Sequence, residues 1–129
     1  MASIDQVAGW LTLYVGIWRA GEHSRVPELF TEDALYFTDP FRPPKRGHAE
    51  IGEYWRESGD PPDGFEASYE PLAVEGDLAV VTGFSRYLNE RRTGVDKEYG
   101  NVFVMRLAPD GRCREYREWY MLRAGAQPA

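Results

Sequence analysis

Asp39 is a carboxylate in a setting suited to proton transfer. It stands in Phe37-Thr38-Asp39-Pro40-Phe41, between two phenyl rings, and opens a loop stiffened by Pro40, Pro43 and Pro44. A carboxylate held firmly against apolar surface loses hydration of its charged form, which lifts its pKa toward the range a general base needs. The plainer reading is that Asp-Pro opens a turn and closes a strand, and both readings stand at this point. Other chemistry-bearing types offer less. His23 and His48 fall in a loop and at a helix start, without His, Cys or Asp neighbours at metal-ligand spacing, so no metal is expected. Cys113, on a strand with no histidine near it in sequence, reads as a small buried hydrophobe. The glycines after strands do not open helices, so no phosphate cradle and no cofactor are expected.

The elements that must position such groups follow from period and punctuation. Ser3 and Gln6 form a capping-box signature. Behind it Ile4, Val7, Leu11, Tyr14, Val15 and Trp18 recur at helical steps and predict a helix stopped near Gly21. Pro27 opens a short second helix through Leu29 and Phe30. Ala34 to Thr38 reads as a strand, and the prolines up to Gly47 make the next stretch a loop. Ile51, Tyr54 and Trp55 mark a third helix ending near Gly59, followed by a Gly59–Gly64 loop. From Phe65 the pattern is strands, with turns at Glu75-Gly76-Asp77, Arg92-Thr93-Gly94 and Pro109-Asp110-Gly111. Between the turns lie Leu78–Leu88, Tyr99–Leu107 and Arg112–Leu122. Helices segregated from a run of strands predict an α+β fold in which a curling antiparallel meander is closed by helices, leaving a pocket.

The totals bound the answer. The 129 residues fit one domain over 1–129, with residues 124–129 expected to fray. A chain 43% hydrophobic and 14% aromatic buries a core without disulfide staples. The net charge of −6 argues against nucleic acid, and Arg91-Arg92 beside Glu90 reads as a solvated hairpin tip. No apolar run approaches a membrane span, no basic amphipathic helix occurs and no leader opens the chain. With a single cysteine, the expectation is a cytoplasmic protein without membrane contact.

Two stretches carry a family likeness. The first is Asp39-Pro40-Phe41-Arg42-Pro43-Pro44-Lys45-Arg46-Gly47 ahead of a helix with Ile51 and Tyr54-Trp55. The second is Val104-Met105-Arg106-Leu107, then Asp110-Gly111-Arg112 and the pair Trp119-Tyr120. In these the chain resembles the nuclear transport factor 2-like superfamily, which includes ketosteroid isomerases and SnoaL-like polyketide cyclases. The resemblance spans nearly the whole chain and implies a cone-shaped fold, a curved, mostly antiparallel sheet wrapped over three N-terminal helices around a deep pocket. It implies Asp39 as the general base and Tyr14 as a holder of the enolate oxygen. Phe103 stands where the steroid isomerases carry a protonated acid. A phenyl ring donates no hydrogen bond, and losing one oxyanion donor costs on the order of 10²–10³ in rate. Steroid isomerisation of the usual kind is therefore not implied.

If Phe103 faces the cavity, as the resemblance implies, alternation places Asn101 and Met105 beside it. Tyr120, inward by the same resemblance, brings Tyr116 and Glu118 to that side. A glutamate in an aromatic wall needs a partner or a proton. Two arrangements are open: an Asp39–Glu118 acid–base pair, or a structural ion pair with Arg86 of Thr82-Phe84-Arg86, which the residues favour. Trp18, Phe37, Trp55, Phe84, Phe103, Met105 and Tyr120 are expected to form the wall. The function expected is a cofactor-independent isomerase, cyclase or lyase acting on a small apolar carbonyl compound. The alternative is a non-catalytic module that binds a small apolar or aromatic ligand, and a homodimer is expected across the sheet face bearing Val102 and Val104.

Overall fold

The computed structural model describes residues 2–58, 64–88, 91 and 94–123. The expected loop at 59–63, most of the hairpin tip (Glu90, Arg92 and Thr93) and the 124–129 tail lie outside the described residues. Ser3 caps α1 (Ile4–Ala20), its side chain accepting from the Gln6 amide at 3.1 Å, and Gly21 ends it in the left-handed region at φ 68°. Val7, Trp10, Leu11, Tyr14 and Ile17 are its buried stripe. After a 3-10 turn at His23–Arg25 comes the single turn of α2 (Val26–Leu29), with Pro27 in its first turn. The Trp10 indole N–H donates to the Leu29 carbonyl at 2.9 Å and ties the two helices together.

Phe30, expected at the end of the second helix, is instead extended and fully buried, and it begins β1 (Phe30–Phe37). The strand runs longer than Ala34–Thr38 because its partner is far away in sequence. It pairs in parallel with β6 (Cys113–Leu122), Phe30 opposite Cys113 and Tyr36 opposite Tyr116. The proline loop is not wholly irregular: β2 (Lys45–Arg46) pairs antiparallel with β1 at the sheet edge. Proline excludes only central strands, so an edge can tolerate it nearby. Then α3 (Gly47–Ser58) leads to β3 (Phe65–Glu75), β4 (Leu78–Leu88) and β5 (Val95–Leu107), the last starting before the expected Tyr99. The six strands lie in the order β2-β1-β6-β5-β4-β3, all antiparallel except β1 with β6. No helix among the described residues is long and apolar enough to cross a membrane.

Register decides which side chains reach the concave face. Along β4, Ala79, Val81 and Ser85 are buried and lie opposite Met105, Phe103 and Tyr99. The register slips between Tyr87 and Leu88. The extra residue is Asp96 of β5, between Val95 and Lys97, so alternation along β4 is unbroken from Ala79 to Tyr87. Phe84 and Arg86, expected in the pocket wall, therefore lie on the outer face. There the Arg86 guanidinium covers the Phe84 ring at 4.0 Å and pairs with Glu98, its neighbour across β5.

Gly83 marks the tightest approach within the sheet. A Cβ on it would lie 2.1 Å from the Ser68 carbonyl and 2.6 Å from the Tyr69 ring. Without that atom, Tyr69 folds inward to within 4.8 Å of Phe103. Gly83→Ala is expected to lower stability by at least the ~1–3 kcal/mol usual for overpacking. Urea unfolding measures it, and an unchanged midpoint would mean that β3 yields freely at this point.

Candidate active site

Between α1, α3 and the inner faces of β4, β5 and β6 lies a partly open cavity of about 240 Å³. Of the residues expected around it, Tyr14, Trp18, Trp55, Asn101, Glu118 and Tyr120 line it. Phe103, Met105 and Tyr116 face the same side but are wholly buried, so they form the core beneath the cavity rather than its wall. Phe37 lies away from it, under the Arg117 guanidinium at 3.9 Å, opposite in alternation to the inward Tyr36. Tyr36, Tyr54, Ser85, Tyr87, Lys97 and Tyr99 complete much of the lining and were not anticipated. They make the wall aromatic and polar rather than apolar.

Glu118 holds the centre. Its Oε1 accepts from the Tyr116 hydroxyl at 2.9 Å and its Oε2 from the Asn101 amide at 2.8 Å. The Ser85 hydroxyl donates to the Asn101 Oδ1 at 3.0 Å, which turns the amide nitrogen toward Glu118. Beside Tyr116 lies the Tyr14 ring, with centroids 6.3 Å apart. The expected ion pair does not form. Arg86 is engaged by Glu98 on the outer face, and Arg117 is engaged by Glu115.

Burial raises the Glu118 pKa above the ordinary carboxylate value, against the lowering effect of the Tyr116 and Asn101 hydrogen bonds. Tyr14, Tyr36 and Tyr116 are held well above the usual phenol range, by burial first. They are neutral hydrogen-bond donors at any working pH. Tyr36 also stands edge-on to Trp55, with ring centroids 6.5 Å apart. Two donors occupy part of the carboxylate's acceptor capacity of about four lone-pair sites, so Glu118 retains the capacity to take a proton from a ligand.

Asp39 does not line the cavity. Its Oδ1 accepts from the Phe41 amide at 2.7 Å and its Oδ2 meets the Arg42 Nε at 3.1 Å. Phe41, expected to shield it, is 94% exposed. The Asp-Pro turn reading describes this geometry, and no Asp39–Glu118 pair exists in the cavity. Among the described residues, no three of His, Cys, Asp and Glu converge as a metal set. Cys113 is buried, with its thiol pKa raised by desolvation and its S–H directed to the Glu115 carbonyl.

The sequence model of the SnoaL-like domain matches residues 11–116. Among solved structures, ActVI-ORFA from Streptomyces coelicolor superposes with a TM-score of 0.69 at 11% identity, covering 90% of this chain and 95% of that one. At that identity the likeness is one of fold. A search of curated proteins found no match.

A raised carboxyl pKa has a thermodynamic signature. The folded state binds the Glu118 proton more tightly than the unfolded chain does. The protonated form therefore favours folding below the unfolded pKa, and that stabilisation is lost as pH rises through the folded pKa. Glu118→Gln is expected to melt above the wild type at neutral pH, with the gap closing below pH ~4. Melting curves across pH test this, and a variant less stable than wild type at neutral pH would contradict it.

Proposed function

The chain belongs to the SnoaL-like domain family, whose fold includes polyketide cyclases and isomerases, and from that premise we propose a proton-transfer enzyme acting on a small carbonyl compound with Glu118 as its base. The observation that carries this reading is a carboxyl group lining the cavity, raised in pKa and hydrogen-bonded by the neutral Tyr116 and Asn101. Such a group abstracts protons near neutral pH without holding a permanent counter-ion. Asp39, the expected base, has its two oxygens engaged by Phe41 and Arg42 outside the cavity lining.

The step is simple to balance. Glu118 takes a proton from the carbon beside the carbonyl, and the electron pair moves onto the carbonyl oxygen. Tyr36, lining the cavity and kept neutral by burial, donates to the enolate oxygen. Tyr14 positions Tyr116 by packing against its ring. Glu118 then returns the proton at another carbon for an isomerisation, or to a departing oxygen for a cyclising dehydration. The cavity is somewhat smaller than the roughly 300–1,000 Å³ of drug-sized sites, so the occupant is compact.

The test is solvent deuterium incorporation into enolisable aromatic ketones, followed by proton NMR. Glu118→Gln is expected to lower exchange by ~10²–10⁴, and Tyr36→Phe by on the order of 10²–10³. Asp39→Asn leaves it unchanged. The wild-type rate climbs as pH rises through the elevated Glu118 pKa, because the ionised form is the base. Exchange that survives Glu118→Gln sinks the assignment. Ligand binding with no exchange in the wild type would favour the non-catalytic module.

A homodimer across the outer face is a second proposal, and a specific surface supports it. Val102, 40% exposed, lies directly opposite Trp119, 43% exposed, with Met121 at 78% two residues further along β6. Adjacent exposed apolar side chains on a sheet face favour association. Sedimentation of Trp119→Glu should show monomers where the wild type shows dimers. A wild-type monomer at all concentrations would overturn it.

A further inference from the structure

The cavity has a second charged group, and it lies apart from Glu118 and its two donors. Lys97 lines the cavity from β5, on the inward side of the strand with Tyr99 and Asn101. Its Nζ sits over the Tyr87 ring at 5.1 Å and near the Tyr99 ring at 5.8 Å. Two aromatic faces thus hold the ammonium at the exposed end of the cavity. The arginines of β4 to β6 have carboxylate partners: Arg86 with Glu98, Arg106 and Arg114 with Asp77, and Arg117 with Glu115, while Arg123 just beyond β6 shares Glu98. Among the described residues Lys97 has rings but forms no such pair. Of its two acidic neighbours in sequence, Glu98 is on the opposite face and engaged there by two arginines, and Asp96 is the residue at which the β4–β5 register shifts.

In a chain of net charge −6, a lysine on a binding cavity that has no ion-pair partner among the described residues is a vacancy for an anion. The opposite end of the same cavity is occupied by Glu118, which repels an anion. The charges therefore fix not only what enters but which way round it lies. We propose that the cavity takes a small aromatic carboxylate, its charged end on Lys97 and its carbonyl end at Glu118. The aromatic body would lie among the tyrosine and tryptophan rings between them. This rests on Glu118 as the base for the carbonyl end, whereas the preference for a carboxylate rests on Lys97 alone.

The probe pair is 4-acetylbenzoate and its neutral match 4-acetylbenzamide, each carrying an enolisable acetyl group. Binding is read by quenching of Trp18 and Trp55, which both line the cavity. Deuterium entry into the acetyl methyl group is read separately by NMR. The wild type should bind the carboxylate about tenfold more tightly than the amide, as a partly exposed charge-assisted hydrogen bond provides. Lys97→Met should erase that preference and Lys97→Arg should keep it. Glu118→Gln should retain the preference while losing exchange. Equal affinity for the two probes, a preference that survives Lys97→Met, or no binding of either probe would overturn the proposal. Preference lost in Lys97→Met with exchange retained in Glu118→Gln would leave the anion site standing and remove the base. No preference in the wild type with exchange abolished by Glu118→Gln would do the reverse.

Discussion

A carboxylate on the inner face of a curved sheet, with no cation beside it, must have its charge satisfied by neutral donors or else take up a proton. Much of the architecture around the cavity answers that constraint for Glu118. Tyr116 supplies one donor from the same strand and Asn101 the other from β5. Asn101 does so in only one amide orientation, which Ser85 on β4 selects. Ser85 faces inward because β4 alternates without interruption from the buried Ala79 and Val81. The alternation of β4 is thus coupled, through Ser85 and Asn101, to the charge state of Glu118.

The rigidity that holds this geometry comes from rings. Tyr14 stacks on Trp10 at 5.2 Å and meets Trp55 and Phe103 edge-on at 5.5 Å and 6.0 Å. Tyr36 stacks on Tyr116 at 4.6 Å, and Trp18 on Phe65 at 3.7 Å. Flat side chains with two torsions bury large areas at little entropic cost and fix their neighbours' rotamers. The hydrogen bonds among Ser85, Asn101, Tyr116 and Glu118 need such support, since a donor displaced by an ångström no longer bonds.

Much of this was readable from residue types. The helices, the order of elements and the inward set Asn101, Phe103 and Met105 follow from period and family likeness. Glu118 could be singled out because an acid among aromatics needs a reason. Its partner could not be read, because β4 carries apolar residues on both faces. Placing Phe84 and Arg86 inward hides Ser85, which alternates with them onto the other face. Lys97 was missed because its strand was started at Tyr99. Asp39 misled for a different reason: sequence shows two flanking phenylalanines but not that Phe41 points into solvent. Tyr36 was invisible as a site residue because its strand is organised by β6, far along the chain.

That parallel pairing of β1 with β6 also has a meaning for how the chain is made. The first strand finds its long partner only when the last strand exists, with β3, β4 and β5 synthesised in between. Pairings so distant in sequence close large loops and slow folding. On the ribosome, β1 and the buried aromatic face of α1 must wait for β6, with apolar surface open to other partners meanwhile. Tyr36 arrives with the first strand and Glu118 with the last, so the cavity is assembled by the final event of folding. Any factor that delays β6 acts on the chemistry and on the vulnerability of the nascent chain at once.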